Sequence, residues 1–159
     1  VAHARLSRRL DEELRSEHGL TLPEYDALLQ LAQAPDRRLR MSQLAEAVVL
    51  SRSGVTRLID RLVADGFVER HHCRTDARGA EAVLTASGLD RLRRAATTHL
   101  RGIDRYFLSA VPEADLAALE RSLNLVAERA GPGWSVPSDC AVDDAVTPEP
   151  ISAGRATDG

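Results

Sequence analysis

The sequence predicts a mainly α-helical chain with one small β-hairpin, and three observations carry that reading. Apolar residues recur at helical spacing through most of the first 130 positions. Two short helical patterns, at about 41–48 and 52–64, are separated only by a tight turn. Two strand-like runs, Phe67–Arg70 and Ala80–Leu84, then flank a polar loop. Of the 159 residues 43% are apolar, enough to build a core without disulfides or metals.

From Ala4 to His18, Leu6, Leu10 and Leu14 recur every fourth residue and make one narrow stripe between arginines and glutamates. Such a helix cannot form a core by itself. Val1 stands just ahead of this pattern in what already looks helical, so part of the first helix is expected to precede it. A helix over about Met41 to Val48 turns Leu44, Ala45 and Val48 toward the next one. There Ser51 suits the N-cap and Asp65-Gly66 supplies a left-handed stop. Between them Val55, Leu58, Ile59, Leu62 and Val63 form an apolar stripe. Gly54 costs that helix roughly 0.5 to 1 kcal/mol relative to alanine but leaves room for close backbone approach. Leu89, Leu92, Ala96, Leu100, Ile103 and Phe107 give a long one-faced helix from Ala86 to about Ala110. Pro112 then opens a last one with Leu116, Leu119, Leu123 and Val126. Beyond Gly131, Pro, Gly, Ser and acids follow without periodicity, so 131–159 reads as a disordered acidic tail in which Trp134 is the residue suited to docking.

The expected organisation is one domain over 1–130, with a compact head at about 22–85. Helices at about 1–18 and 86–130 bear exposed stripes that predict a dimer built from both chain ends.

The face of the second short helix opposite its stripe carries Arg52, Ser53, Thr56, Arg57, Asp60 and Arg61, mostly donors of the kind that meet phosphates and base edges. Ser51 sits at the helix N-terminus, itself favourable to phosphate, and Ser42 and Gln43 open the preceding helix. The hairpin loop holds Arg74, Asp76 and Arg78. Arg78 suits a narrow minor groove, and Asp76 suits holding an arginine in place. The candidate DNA-binding residues are therefore Ser42, Gln43, Ser51, Arg52, Ser53, Thr56, Arg57, Arg61, Arg74, Asp76 and Arg78. The net charge of −3 is not that of a bulk nucleic-acid binder, but the charge is unevenly placed. Nine arginines face six acids between Asp36 and Arg78, while five acids face one arginine from Gly131 onward. All 21 basic residues are arginine, which reads as coding bias and not as recognition chemistry.

Ser51-Arg-Ser-Gly-Val-Thr-Arg-Leu-Ile-Asp-Arg-Leu, Gly66-Phe-Val-Glu-Arg, Asp76-x-Arg78 and Leu84-Thr-x-x-Gly88 resemble the winged helix-turn-helix of the MarR family of bacterial transcriptional regulators. Gly19-Leu-Thr-Leu-Pro-Glu-Tyr-Asp-Ala-Leu-Leu is similar to the family's second helix and its lead-in, so the resemblance covers roughly the first 130 residues. Val49, in the turn between the two short helices, departs from the glycine of many members. The resemblance implies a homodimer on a pseudopalindromic double-stranded operator, repressing nearby genes until a small-molecule effector binds. It places such effectors between the flanking helices and the head, where His3, Arg8, Tyr25 and His99 are the candidate lining residues.

Other classes find little footing. No glycine-rich phosphate loop, nucleophile elbow or paired catalytic carboxylates occur, so no enzyme is expected. His71-His72-Cys73 are consecutive and cannot all converge on one ion, so neither metal nor cofactor is expected. Cys73 beside Arg74 has a setting that lowers a thiol pKa, yet the family's peroxide sensors keep their cysteine near the first helix, and a surface cysteine without a role is the simpler reading. No stretch approaches the ~18 apolar residues of a membrane span and no signal peptide opens the chain, so a cytoplasmic address is expected. The alternative function is a winged helix used for dimerisation or protein interaction without DNA.

Overall fold

The computed structural model describes residues 1–72 and 80–130. Along the chain lie α1 (Ala2–His18), α2 (Leu22–Gln33), β1 (Arg38–Arg40), α3 (Met41–Ala47), α4 (Arg52–Ala64), β2 (Val68–His72), β3 (Ala80–Leu84), α5 (Ala86–Tyr106) and α6 (Glu113–Ala130). The mainly helical class with a small antiparallel hairpin is the one the sequence predicts.

Local chemistry sets the boundaries. The Thr21 hydroxyl accepts from the Glu24 N–H at 3.2 Å, while Glu24 Oε2 accepts from the Thr21 N–H at 2.9 Å, a complete capping box at the start of α2. Ser51 Oγ accepts from the Gly54 N–H at 3.1 Å, as expected for the N-cap of α4. At the other end of α4 the Phe67 N–H bonds the Leu62 carbonyl at 2.9 Å, and Gly66 takes a φ of 74°. Phe67 is thus spent on closing the helix, and strand β2 starts one residue later than the sequence pattern suggested and runs on to His72.

Strand β3 is central, paired with β2 on one side and with β1 on the other in the order β1-β3-β2. Strand β1 has no counterpart in the sequence reading, because three residues, Arg-Leu-Arg, are too short to show alternation. Thr85 then joins the hairpin to α5. Its N–H bonds the Phe67 carbonyl at 3.1 Å, and its hydroxyl donates to the Gly66 carbonyl at 2.8 Å while accepting from the Gly88 N–H at 3.0 Å. Gly88 is held so closely that a Cβ there would stand 2.1 Å from the Phe67 carbonyl oxygen.

The core gathers Leu14 of α1, Leu28 and Leu31 of α2, Leu44 of α3, Val55, Leu58, Ile59 and Leu62 of α4, Ala82 and Leu84 of β3, and Leu92 of α5. Val63 was expected with this set but is 39% exposed. Eight residues beyond Val55 the helix has turned about 80° past it, which carries Val63 off the stripe. The α1 stripe, expected to be exposed, is instead buried against the body through Leu10 and Leu14, because α1 packs on α5 and α2, whereas Leu123, Leu125 and Val126 of α6 remain more than half exposed.

Candidate nucleic-acid interface

Helices α3 and α4 meet at a turn closed by the Val49 N–H to the Glu46 carbonyl and the Leu50 N–H to the Ala45 carbonyl, at 3.2 and 3.0 Å. Val49 takes a φ of 53°, left-handed backbone that a β-branched residue enters at a cost of about 1 to 2 kcal/mol, and its side chain is 88% exposed. The turn therefore keeps a glycine-like conformation without the glycine.

On α4, Arg52, Ser53, Thr56 and Arg57 are exposed on the side away from Val55, Leu58 and Ile59. The Thr56 hydroxyl donates to the Arg52 carbonyl at 2.8 Å, so it turns acceptor lone pairs and a methyl group outward. Ser51 Oγ is committed to the cap and lies 3.1 Å from Ser53 Oγ. Ser42 and Gln43 are exposed in the first turn of α3. The Gln43 side-chain oxygen accepts from the Arg40 N–H at 3.0 Å, leaving its amide NH₂ as the donor. Ionic ties fasten both edges of α4. Arg61 Nε donates to Glu24 Oε1 at 2.7 Å, and Asp60 Oδ1 lies 2.8 Å from Arg70 Nη2 on the hairpin. Burial pushes the Glu24 carboxyl up, but the Thr21 N–H and the Arg61 guanidinium outweigh it and hold its pKa below the usual value. Arg74, Asp76 and Arg78, together with Cys73, Trp134 and the expected tail, lie outside the described residues.

Of the expected effector residues, two come together and two do not. Tyr25 is buried with its ring centroid 4.5 Å from that of His99 on α5. His3 and Arg8 are exposed on α1, where His3 lies 3.5 Å from Ser7. Beside Tyr25, burial pushes the Asp26 carboxyl up to about 6 and the tyrosine hydroxyl to about 12, and it lowers His99. Asp26 escaped the sequence reading because an isolated carboxylate on a helix gives no periodic signal. Glu24 left a visible one, since Thr-Leu-Pro-Glu is the S/T-x-x-E pattern of a capping box.

The flanking helices are tied where α1 ends. The Thr98 hydroxyl donates to Glu17 Oε2 at 2.8 Å and takes a bond from His18 Nε2 at 2.8 Å, while Arg101 Nη2 donates to Glu17 Oε1 at 2.7 Å. Arg91 Nη1 donates to the His18 carbonyl at 3.0 Å, its guanidinium 5.0 Å from the Phe67 ring centroid. The hydrogen-bonded pairs, 73 to 84 residues apart in sequence, were beyond any local reading. Among the described residues no group of three or more His, Cys, Asp or Glu is placed to hold a metal, and no helix is long and apolar enough to cross a membrane.

Solved structures share this arrangement. Sco3205, a MarR family transcriptional regulator from Streptomyces coelicolor in complex with DNA, is 33% identical, with 82% of this chain and 85% of that one covered at a TM-score of 0.77. The chain belongs to the MarR family. The family's model matches residues 18–79, which run from the end of α1 into the hairpin. AbsC, a MarR family regulator from the same organism, is also 33% identical, covering 81% of this chain and 86% of that one at a TM-score of 0.74. The HTH-type transcriptional repressor YetL of Bacillus subtilis (strain 168) is 34% identical over 85 residues, 54% of this chain. The chain spans about half of that relative's length, 51%.

Proposed function

We propose that this MarR-family chain is a cytoplasmic, sequence-specific transcriptional regulator that binds double-stranded DNA as a homodimer. Helix α4 enters the major groove and the hairpin loop reaches the adjacent minor groove. The observation that carries this reading is the exposed Arg52, Ser53, Thr56 and Arg57 surface on a capped helix whose opposite face is core. Arg57 reads a base edge, Thr56 offers an acceptor and a methyl, and Ser42, Gln43, Ser51, Arg52 and Ser53 meet the phosphate backbone. In the loop, Arg78 enters the minor groove, and Asp76 holds an arginine ready for phosphate.

The exposed apolar face of α6, with α1, supplies the dimer contact that a two-half-site operator requires. Repression is the regulatory mode, supported by the description of YetL as a repressor, and its relief by a small effector belongs to the same proposal. The Tyr25 and His99 pair, between α2 and α5, is where such a molecule acts.

Anisotropy titrations on a duplex enriched from a random pool, repeated across a salt series, test the reading. Arg57→Ala costs about 1 to 3 kcal/mol and relaxes one base position, whereas Arg78→Ala lowers affinity and flattens the salt slope by about one unit. Equal affinity of Arg57→Ala and the parent for enriched and scrambled DNA removes Arg57 as a reader. A protein that dimerises yet enriches no duplex is an interaction module instead.

A further inference from the structure

Glu24 uses its two oxygens differently. Oε2 closes the capping box of α2, and Oε1 receives Arg61 of α4 across 37 residues. A capping box forms with glutamine as well as with glutamate, but accepting Arg61 at the same time takes the second acceptor oxygen that only the carboxylate has. The Glu24 side chain is only 8% exposed, and a charge so buried is costly unless paired. The charge at position 24 therefore serves Arg61. Among the described residues the other ionic tie of α4, Asp60 to Arg70, runs to the hairpin and not toward α1 or α2, and the apolar stripe of α4 is non-directional and restrains rotation about the helix axis less sharply than a charge-assisted bond. The start of α2 is in turn fastened to α1. The Leu22 N–H donates to Asp11 Oδ1 at 2.8 Å, and Asp11 Oδ2 takes Arg15 Nε at 2.6 Å. A continuous set of directional bonds thus runs from α1 through the cap of α2 to α4.

We propose that Glu24 and Arg61 are positioning residues that fix the rotation of α4 relative to α1 and so set the half-site spacing the dimer accepts. This inference rests on the DNA-binding reading above. In it Arg61 acts through Glu24 and reads no base.

The test begins with the duplex enriched by the parent protein and with versions carrying one base pair more or fewer between the half-sites. One base pair rotates a half-site by about 35°, enough to expose a misaligned α4. The parent should lose about 100-fold in affinity at either altered spacing, a penalty of the size expected when one of two half-sites is misplaced. Glu24→Gln keeps the cap and removes the charge. It should lose about tenfold at the selected spacing but only about threefold more at the altered ones, because a loosened helix accommodates either. Arg61→Gln introduced into Glu24→Gln should add less than about twofold, the signature of two residues acting as one unit.

Parent-like affinity and spacing penalty in Glu24→Gln overturn the proposal. So does an equal loss at every spacing, the mark of a merely structural pair, and so does a full additional loss on removing Arg61, which makes it a direct contact. A parent protein that enriches no duplex at all overturns the DNA-binding reading first and this inference with it, before any variant is made.

Discussion

Replacing Asp26 by asparagine should stabilise the protein at neutral pH and leave it unchanged in acid. Burial beside Tyr25 raises the Asp26 carboxyl from 3.8 to about 6, so the folded state holds a proton that the unfolded chain has already released. Below pH 3.8 both states are protonated and the side chain is neutral in each. Between pH 3.8 and 6 the unfolded state gains charge first and folding loses ground; above 6 the penalty is complete. Two pH units correspond to about 3 kcal/mol, and a carboxylate that keeps some contact with solvent retains about 1 to 2 kcal/mol of it. Asparagine has the same shape and no charge to desolvate. Urea denaturation at fixed protein concentration, at pH 3.5 and pH 7.5, measures the difference. Asp26→Asn should match the parent at the lower pH and exceed it by about 1 to 2 kcal/mol at the higher. A difference that does not change with pH, or a variant weaker at pH 7.5, refutes burial as the dominant influence on this carboxyl.

Gly88→Ala puts a methyl 2.1 Å from the Phe67 carbonyl oxygen, a backbone atom with little freedom to retreat, so it should lower unfolding free energy by about 2 to 4 kcal/mol in the same denaturation assay. A loss below 0.5 kcal/mol, on the order of an ordinary surface change, would mean that the junction yields easily. Leu119→Asp with Leu123→Asp places charge on the apolar face of α6 and should raise the dimer dissociation constant by about tenfold or more in light scattering. An unchanged dimer mass at micromolar concentration would take α6 out of the interface.

The reading head was legible because its signals are local. The core stripe of α4, the Ser51 cap and the Asp65-Gly66 stop all lie within 16 residues, and helical spacing exposes them directly. The stripe's edge was not, since helical spacing gives the angle of Val63 but only packing decides how wide an arc the core covers. The flanking helices were legible as amphipathic segments, but what fastens them was not. The Thr98 link to Glu17 and the Arg61 link to Glu24 join residues 81 and 37 apart, and no periodicity marks such partners. Arg61 illustrates the difference. From sequence it is one more outward arginine, and its tie to a buried carboxylate emerges only in three dimensions.

Thr85 gives the molecule a shared fate for two parts that function separately. A single hydroxyl caps α5 and holds the last carbonyl of the α4 stop, while the same residue's amide secures the root of the hairpin. The first turn of α5 cannot fray without releasing that root, so both should open as one cooperative unit in hydrogen exchange, with the Thr85 and Gly88 amides protected to the same free energy as the β2–β3 ladder. Slow local opening that loosened the hairpin would therefore also shorten the long helix leading to α6, and the lifetime of the reading head would be written into the exchange rates of a helix on the far side of the hairpin.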